Sequence, residues 1–168
     1  MKNVRPTSGR VVAALFSILG EKVERADFLD LFAGTGRVGL EASRRGAAKC
    51  VFVESVKPRA EAIRKISGES LVLGLEVRRA VSWLTKRGMT FDVIFADPPY
   101  CAGWCETLPA LAGLRELFAP GAVMIVEHSV REELTLSQNP NSLVITSVRE
   151  YGETCLTFLQ APELSQAQ

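Results

Sequence analysis

Phe28-Leu-Asp-Leu-Phe-Ala-Gly-Thr-Gly-Arg-Val-Gly39 decides how the rest of the chain is read. A short apolar run ends in a glycine-rich turn and passes straight into an amphipathic segment, giving the order strand, loop, helix. That order brings backbone N–H groups and a helix N-terminus up to a polar ligand. Gly34, Gly36 and Gly39 satisfy G-x-G-x-x-G, which alone would suggest a dinucleotide. The spacing does not choose the ligand.

Working outward, Val11, Val12, Leu15, Ile18 and Leu19 recur at helical spacing and predict a helix over 7–20. Thr7 or Ser8 can cap its start, and Gly20 can end it. Phe28–Phe32 is read as the first strand and Arg37–Arg45 as the helix after the glycines, closed by Gly46. Cys50–Glu54 is a second buried strand, and Pro58 suits the first turn of a helix to Ile66. A third strand is expected over 72–79 and a short helix or turn over Val81–Lys86.

Phe91–Ala96 is a clear strand ending in Asp97-Pro-Pro-Tyr100. A helix of about three turns is expected next, with Leu108, Leu111 and Leu117 inward, stopped by Pro120-Gly121. Ala122–Val126 is another strand. Continuous apolar runs suit parallel strands covered on both faces. Leu143–Arg149 and Thr154–Leu159 are separated only by Glu150-Tyr-Gly-Glu153, too short for a crossover helix, so they predict an antiparallel hairpin. The expectation is one α/β domain over 1–162, seven strands closed by that hairpin, with 163–168 a disordered tail.

Composition excludes several classes. With 47% hydrophobic and 23% charged residues, the chain is globular rather than disordered. Its apolar runs are too short for a membrane span, and Met1–Pro6 has no signal-peptide core, so a cytoplasmic protein is expected. Cys101 and Cys105 form C-x3-C. His128 is the single histidine, too few partners for a four-ligand zinc, so Cys50, Cys101, Cys105 and Cys155 are read as reduced thiols and no metal is expected. His128 itself is read as a surface residue. Residues 1–65 hold 13 Lys and Arg against 7 Asp and Glu, and the remainder 7 against 12. A basic N-terminal half suits either a phosphate-facing surface or ordinary solvated helix faces.

In an open α/β sheet, ligands bind beyond the carboxyl ends of the strands, where strand order switches. Asp30 with its glycines, Glu54 and Asp97 all fall at or near such ends and should converge on one crevice. Gly34 and Gly36 put no side chain in a ligand's way. Glu54 can accept both hydrogen bonds of a ribose diol. Pro98 and Pro99 donate no N–H, so Asp97-Pro-Pro-Tyr100 offers a carboxylate, free carbonyls and an aromatic face within four residues. That combination suits a planar amino group on a ring: the ring stacks on Tyr100 while Asp97 and the Pro98 carbonyl accept two N–H bonds.

Asp30-Leu-Phe-Ala-Gly-Thr-Gly36 with Asp97-Pro-Pro-Tyr100 resembles the amino-group methyltransferases that use S-adenosylmethionine. Arg5-Pro-Thr-Ser-Gly-Arg-Val-Val-Ala-Ala-Leu-Phe16, Gly39-Leu-Glu-Ala42 and Tyr151-Gly-Glu-Thr154 narrow the resemblance to the bacterial small-subunit rRNA guanine-N2 methyltransferases of the RsmD type. It extends from Arg5 to about Gln160. The resemblance implies a Rossmann-like class I methyltransferase sheet and a monomer acting on 16S rRNA within an assembled or partly assembled small subunit. It implies that Asp30, Phe32, Gly34 and Gly36 line the methionine end of S-adenosylmethionine, that Glu54 holds the ribose, that Ser55 also binds the cofactor, and that Arg79 and Ala80 lie at the adenine. The target guanine, flipped from its RNA context, would sit at Asp97, Pro98, Pro99 and Tyr100, with Trp104 as a wall. Arg5, Arg10 and Arg37 would meet RNA.

Three departures qualify the match. Gly9 stands where the family often has Asp. Arg79 stands where Asp or Asn commonly meets the adenine amine; a donor cannot accept from that amine, so backbone contact is expected there. The basic segment the family usually has before R-P-T is short here, which weakens the expected independent docking on RNA.

Three rival readings share parts of this pattern. An adenine-N6 DNA methyltransferase shares the four-residue motif but needs a target-recognition region for which 168 residues leave little room. A nicotinamide-dependent oxidoreductase explains neither Asp30 nor Asp97-Pro-Pro-Tyr100. A non-catalytic, S-adenosylmethionine-binding ribosome-assembly factor is compatible with Arg79.

Overall fold

The computed structural model describes residues 8–162; Arg5, Thr7 and the tail expected at 163–168 lie outside the described residues. The first helix, α1 (Gly9–Leu19), is capped by Ser8, whose hydroxyl accepts from the Val11 amide, and ends at Gly20 in a positive-φ conformation. Its buried face is Val11, Val12, Leu15, Phe16 and Leu19. Ile18, expected inward, is exposed, and Phe16 fills the stripe one turn after Val12 instead.

Four βα units follow. They are β1 (Asp27–Leu31) with α2 (Arg37–Arg44), β2 (Lys49–Val53) with α3 (Lys57–Ile66), β3 (Leu71–Leu73) with α4 (Val77–Thr85), and β4 (Phe91–Ala96) with the one-turn α5 (Trp104–Thr107). The chain ends with β5 (Phe118–Ser129), β6 (Val144–Tyr151) and β7 (Thr154–Gln160). All seven strands form one sheet in the order β3-β2-β1-β4-β5-β7-β6. Pairing is parallel up to β5 and antiparallel for β5–β7 and β6–β7, so the expected terminal hairpin is present, with β7 inserted between β5 and β6.

Alternation along the strands builds two cores. Phe28, Phe52, Val93, Phe95, Val123 and Ile125 face α1, α2 and α3. Leu29, Leu31, Val51, Val53, Ile94 and Met124 face α4 and the segment after β4. Among the described residues no helix is long and apolar enough to cross a membrane.

Three expectations about elements are corrected. The third strand is three residues long, not eight: Glu76 caps α4 by accepting from the Arg78 amide at 3.0 Å, and Val77, Ala80, Val81 and Leu84 then turn one face inward. The three-turn helix after β4 is a single turn. Pro109 has no N–H to continue it, Gly113 adopts φ 86°, and the Cys105 carbonyl accepts from Thr135 N instead. Leu108 and Leu117 are nonetheless buried, with Leu111 partly so. Finally, β5 starts four residues before Ala122, its Pro120-Gly121 absorbed where the β4–β5 register shifts.

The long β5 also corrects the reading of His128. It pairs with Cys155 inside the β5–β7 ladder and is buried. Its Nε2 lies 2.7 Å from Thr157 Oγ1 and its Nδ1 2.9 Å from the Ser129 carbonyl, a structural tie across two strands.

Candidate active site

Strand order places β1 between β2 and β4, the switch point of the sheet. Leu31 is level with Val53 on one side and Ala96 on the other. The next residue on each strand is therefore Phe32, Glu54 and Asp97, and neighbouring strands lie about 4.8 Å apart. Register alone brings the glycine loop, the ribose candidate and the start of the Asp-Pro-Pro-Tyr turn to one edge.

The loop after β1 is shaped by left-handed backbone. Phe32, Gly34 and Gly36 have φ of 60°, 59° and 78°. For a bulky residue such as Phe32 this conformation is costly, on the order of 1–3 kcal/mol, and such strain concentrates at functional sites. The two glycines serve different ends. A Cβ on Gly34 would meet nothing closer than the Phe32 carbonyl at 4.0 Å, so that side of the loop is open to a ligand. A Cβ on Gly36 would press on Ile63 at 3.1 Å, so Gly36 also seats the loop on α3. Gly39 belongs to packing, because a Cβ there would overlap the Phe52 ring.

Asp30 has a task that spacing did not reveal. Gly36, the N-cap of α2, has no side chain to satisfy the helix's first amides. Asp30 supplies the missing acceptor from β1: its Oδ2 takes the Gly39 N–H at 2.9 Å. Burial pushes the Asp30 carboxyl up to about 7; the Gly39 hydrogen bond opposes the rise and the neighbouring Glu54 charge adds to it.

This gives a pH prediction. Asp30 is protonated in both folded and unfolded chains at the acid end, below about pH 4. From there to about 7 only the unfolded chain ionises, so stability falls with rising pH, by at most about 1.4 kcal/mol per unit, and levels off above. Urea unfolding across that range should show the slope, and Asp30→Asn, which keeps an oxygen acceptor but cannot ionise, should flatten it.

Glu54 is buried and held from two sides. Its Oε2 accepts from Gly34 N at 2.8 Å and its Oε1 from Val56 N at 2.7 Å. Each oxygen keeps a further lone pair. The carboxylate thus fastens the glycine loop while remaining able to accept from a diol. Ser55, beside it, is exposed. Phe32, Gly34 and Glu54 fit the cradle expected for S-adenosylmethionine.

The adenine candidates fare differently. Arg79 is exposed on the first turn of α4. Ala80, next to it, has a fully buried side chain, and its amide donates to the Glu76 carbonyl at 2.9 Å.

On the target side, Asp97 is half-buried, Pro98 buried, and Pro99 and Tyr100 exposed. Asp97 N lies 3.4 Å from the Leu31 carbonyl, which ties the turn to the end of β1. Trp104 meets Phe32 edge-on, ring centroids 4.8 Å apart, and the Arg78 guanidinium lies 5.1 Å from its centroid. Trp104 therefore joins the loop after β1 to the first turn of α4. Arg78 was not foreseen; its place before Arg79 on the same helical turn was the available signal. At the amino ends of α1 and α2, Arg10 and Arg37 are both exposed, and Arg37 lies against Gly9, where an added Cβ would meet its guanidinium at 3.1 Å.

A doubly covered sheet with this strand order and this crevice has the α/β architecture of a solved structure titled "Putative methyltransferase yhhF from Escherichia coli". The TM-score is 0.76 at 28% identity, covering 94% of this chain and 87% of that one.

The family follows from sequence comparison. The model of the family described as "Conserved hypothetical protein 95" matches residues 1–160, and the chain belongs to that family. Its curated relatives include "Putative rRNA methyltransferase YlbH" of Bacillus subtilis, 30% identical over 159 residues, 90% of this chain and 85% of that protein. Another is "Ribosomal RNA small subunit methyltransferase D" of Escherichia coli K12, 32% identical over 136 residues, 78% of this chain and 67% of that protein. The resemblance to the RsmD type is borne out.

Proposed function

We propose that this chain is a ribosomal RNA methyltransferase that uses S-adenosylmethionine, and that its target is the N2 amine of a guanine in the small-subunit RNA. The observation that carries the reading is the register across β2, β1 and β4, which sets Glu54, Phe32 and Asp97 level, with Gly34 tied to Glu54. The names of the curated relatives support the RNA class of substrate.

The exocyclic nitrogen of guanine is a poor nucleophile because its lone pair is delocalised into the ring. Asp97 and the Pro98 carbonyl, accepting its two N–H groups out of the ring plane, favour a pyramidal nitrogen with an available lone pair. Tyr100 and Trp104 hold the ring, which fixes the line of approach. When bound, S-adenosylmethionine supplies an electrophilic methyl on a sulfonium. As positive charge develops on the nitrogen, the Asp97 carboxylate stabilises it in a partly dry site. An N–H proton then leaves to solvent.

Methyl-labelled S-adenosylmethionine with small ribosomal subunits, and separately with bare rRNA, tests the proposal. Label should enter the RNA of at least one; label in neither contradicts it. Glu54→Ala removes both the ribose acceptor and the fastening of Gly34. It should weaken S-adenosylmethionine binding on the order of tenfold to a hundredfold, as expected for lost hydrogen bonds to a charged group, measured by titration calorimetry.

A further inference from the structure

Tyr100 sits at the open end of the Asp-Pro-Pro-Tyr turn with 40% of its surface exposed. Its phenol oxygen lies 3.1 Å from Thr154 Oγ1, 54 residues further along the chain. Thr154 is the first residue of β7 and is held on both sides, paired with Ser129 of β5 and Tyr151 of β6. The hairpin tip is braced in turn: Val130 N donates to the Glu153 carbonyl at 3.0 Å, and Arg131 meets the Glu153 carboxylate at 3.5 Å. The same post-β5 segment brings Glu132 Oε1 to the amide of Cys101, the residue after Tyr100, at 2.9 Å. Cys101 is itself in left-handed backbone at φ 54°.

Tyr100 is thus held through its phenol by Thr154, and the peptide that follows it is held at Cys101 N by Glu132. We infer that Thr154 is a positioning residue for the target base: it sets the Tyr100 ring before RNA arrives and makes the C-terminal hairpin part of the base pocket. The inference rests on reading Asp97–Tyr100 as the base site. The reason is entropic. A half-exposed aromatic ring samples several rotamers, and any base that stacks on it must first order it; a hydrogen bond to a β-branched side chain with restricted χ1 does so in the free enzyme.

The test is steady-state methylation of small subunits by wild type, Thr154→Val, Thr154→Ser, Tyr100→Phe and the double variant Tyr100→Phe/Thr154→Val. Thr154→Val should lower kcat/KM for the subunit about two- to tenfold, the worth of one net hydrogen bond, with S-adenosylmethionine affinity unchanged. Thr154→Ser, which keeps the hydroxyl but not the branch, should restore most of it. Thr154→Val should cost nothing further in the Tyr100→Phe background, because the bond is already gone. An unaffected Thr154→Val, an additive double variant, a silent Ser rescue or a parallel loss of S-adenosylmethionine affinity each overturns the inference while leaving the function standing. No turnover by wild type overturns both.

Discussion

Asp97→Ala is expected to lower the single-turnover rate of RNA methylation by about a hundredfold or more, the scale of losing one preorganised electrostatic partner. The loss should fall on the chemical step. Asp97 is the first residue past β4, and in the proposed mechanism it and the Pro98 carbonyl accept from the amine. The glycine loop and Glu54 follow β1 and β2 and are not part of the turn after β4, so S-adenosylmethionine affinity should be retained. Asp97→Asn keeps an oxygen acceptor without the charge and should fall between wild type and Ala. Rapid-quench kinetics with labelled cofactor separate these outcomes. Equal rates for wild type and Ala would show that the turn only shapes the loop.

Gly39→Ala is expected to destabilise the fold although it adds one methyl group. The new Cβ would overlap the Phe52 ring, which is fully buried between α2 and the sheet. Phe52 is walled by its own core, so either the ring leaves its rotamer or α2 lifts. Overpacking of this kind costs roughly 1–3 kcal/mol, which in a chain of this size lowers Tm by roughly 2–12 °C. Lifting α2 would also stretch the Asp30–Gly39 hydrogen bond that caps it. Differential scanning calorimetry gives the shift. In a cycle with Phe52→Leu, the double variant should lose less than the two singles together, because the smaller side chain makes room for the methyl.

The parts of this fold legible in the sequence are those decided by apolar runs. Phe28–Leu31, Cys50–Val53 and Phe91–Ala96 are strands because a sheet covered on both faces needs near-continuous hydrophobicity. The hairpin was legible from the brevity of Glu150–Glu153. What was missed involves competition between local signals. Glu76 starts a helix inside what reads as a strand, and Pro109 with Gly113 breaks a pattern of leucines that reads as a longer helix.

The candidate site divides in the same way. Glu54 and Asp97 were legible because each follows an apolar strand directly. Asp30's service to Gly39, Phe32's left-handed turn, the stacking of Arg78 on Trp104 and the reach of Thr154 to Tyr100 were not, since each joins segments that only the tertiary fold brings together. The burial of Ala80 beside the exposed Arg79 was not legible either, because adjacency says nothing about which way a helical residue faces.

In the proposed reaction, the edge of the sheet at the β1–β4 switch delivers a methyl group to the exocyclic amine of a guanine. Mass spectrometry of nucleosides released from small-subunit RNA, after incubation with the wild-type protein and methyl-labelled S-adenosylmethionine, tests it most directly. Label is expected in N2-methylguanosine, entering about a hundredfold or more slowly with Asp97→Ala; label in N6-methyladenosine, or in no nucleoside, would contradict this assignment.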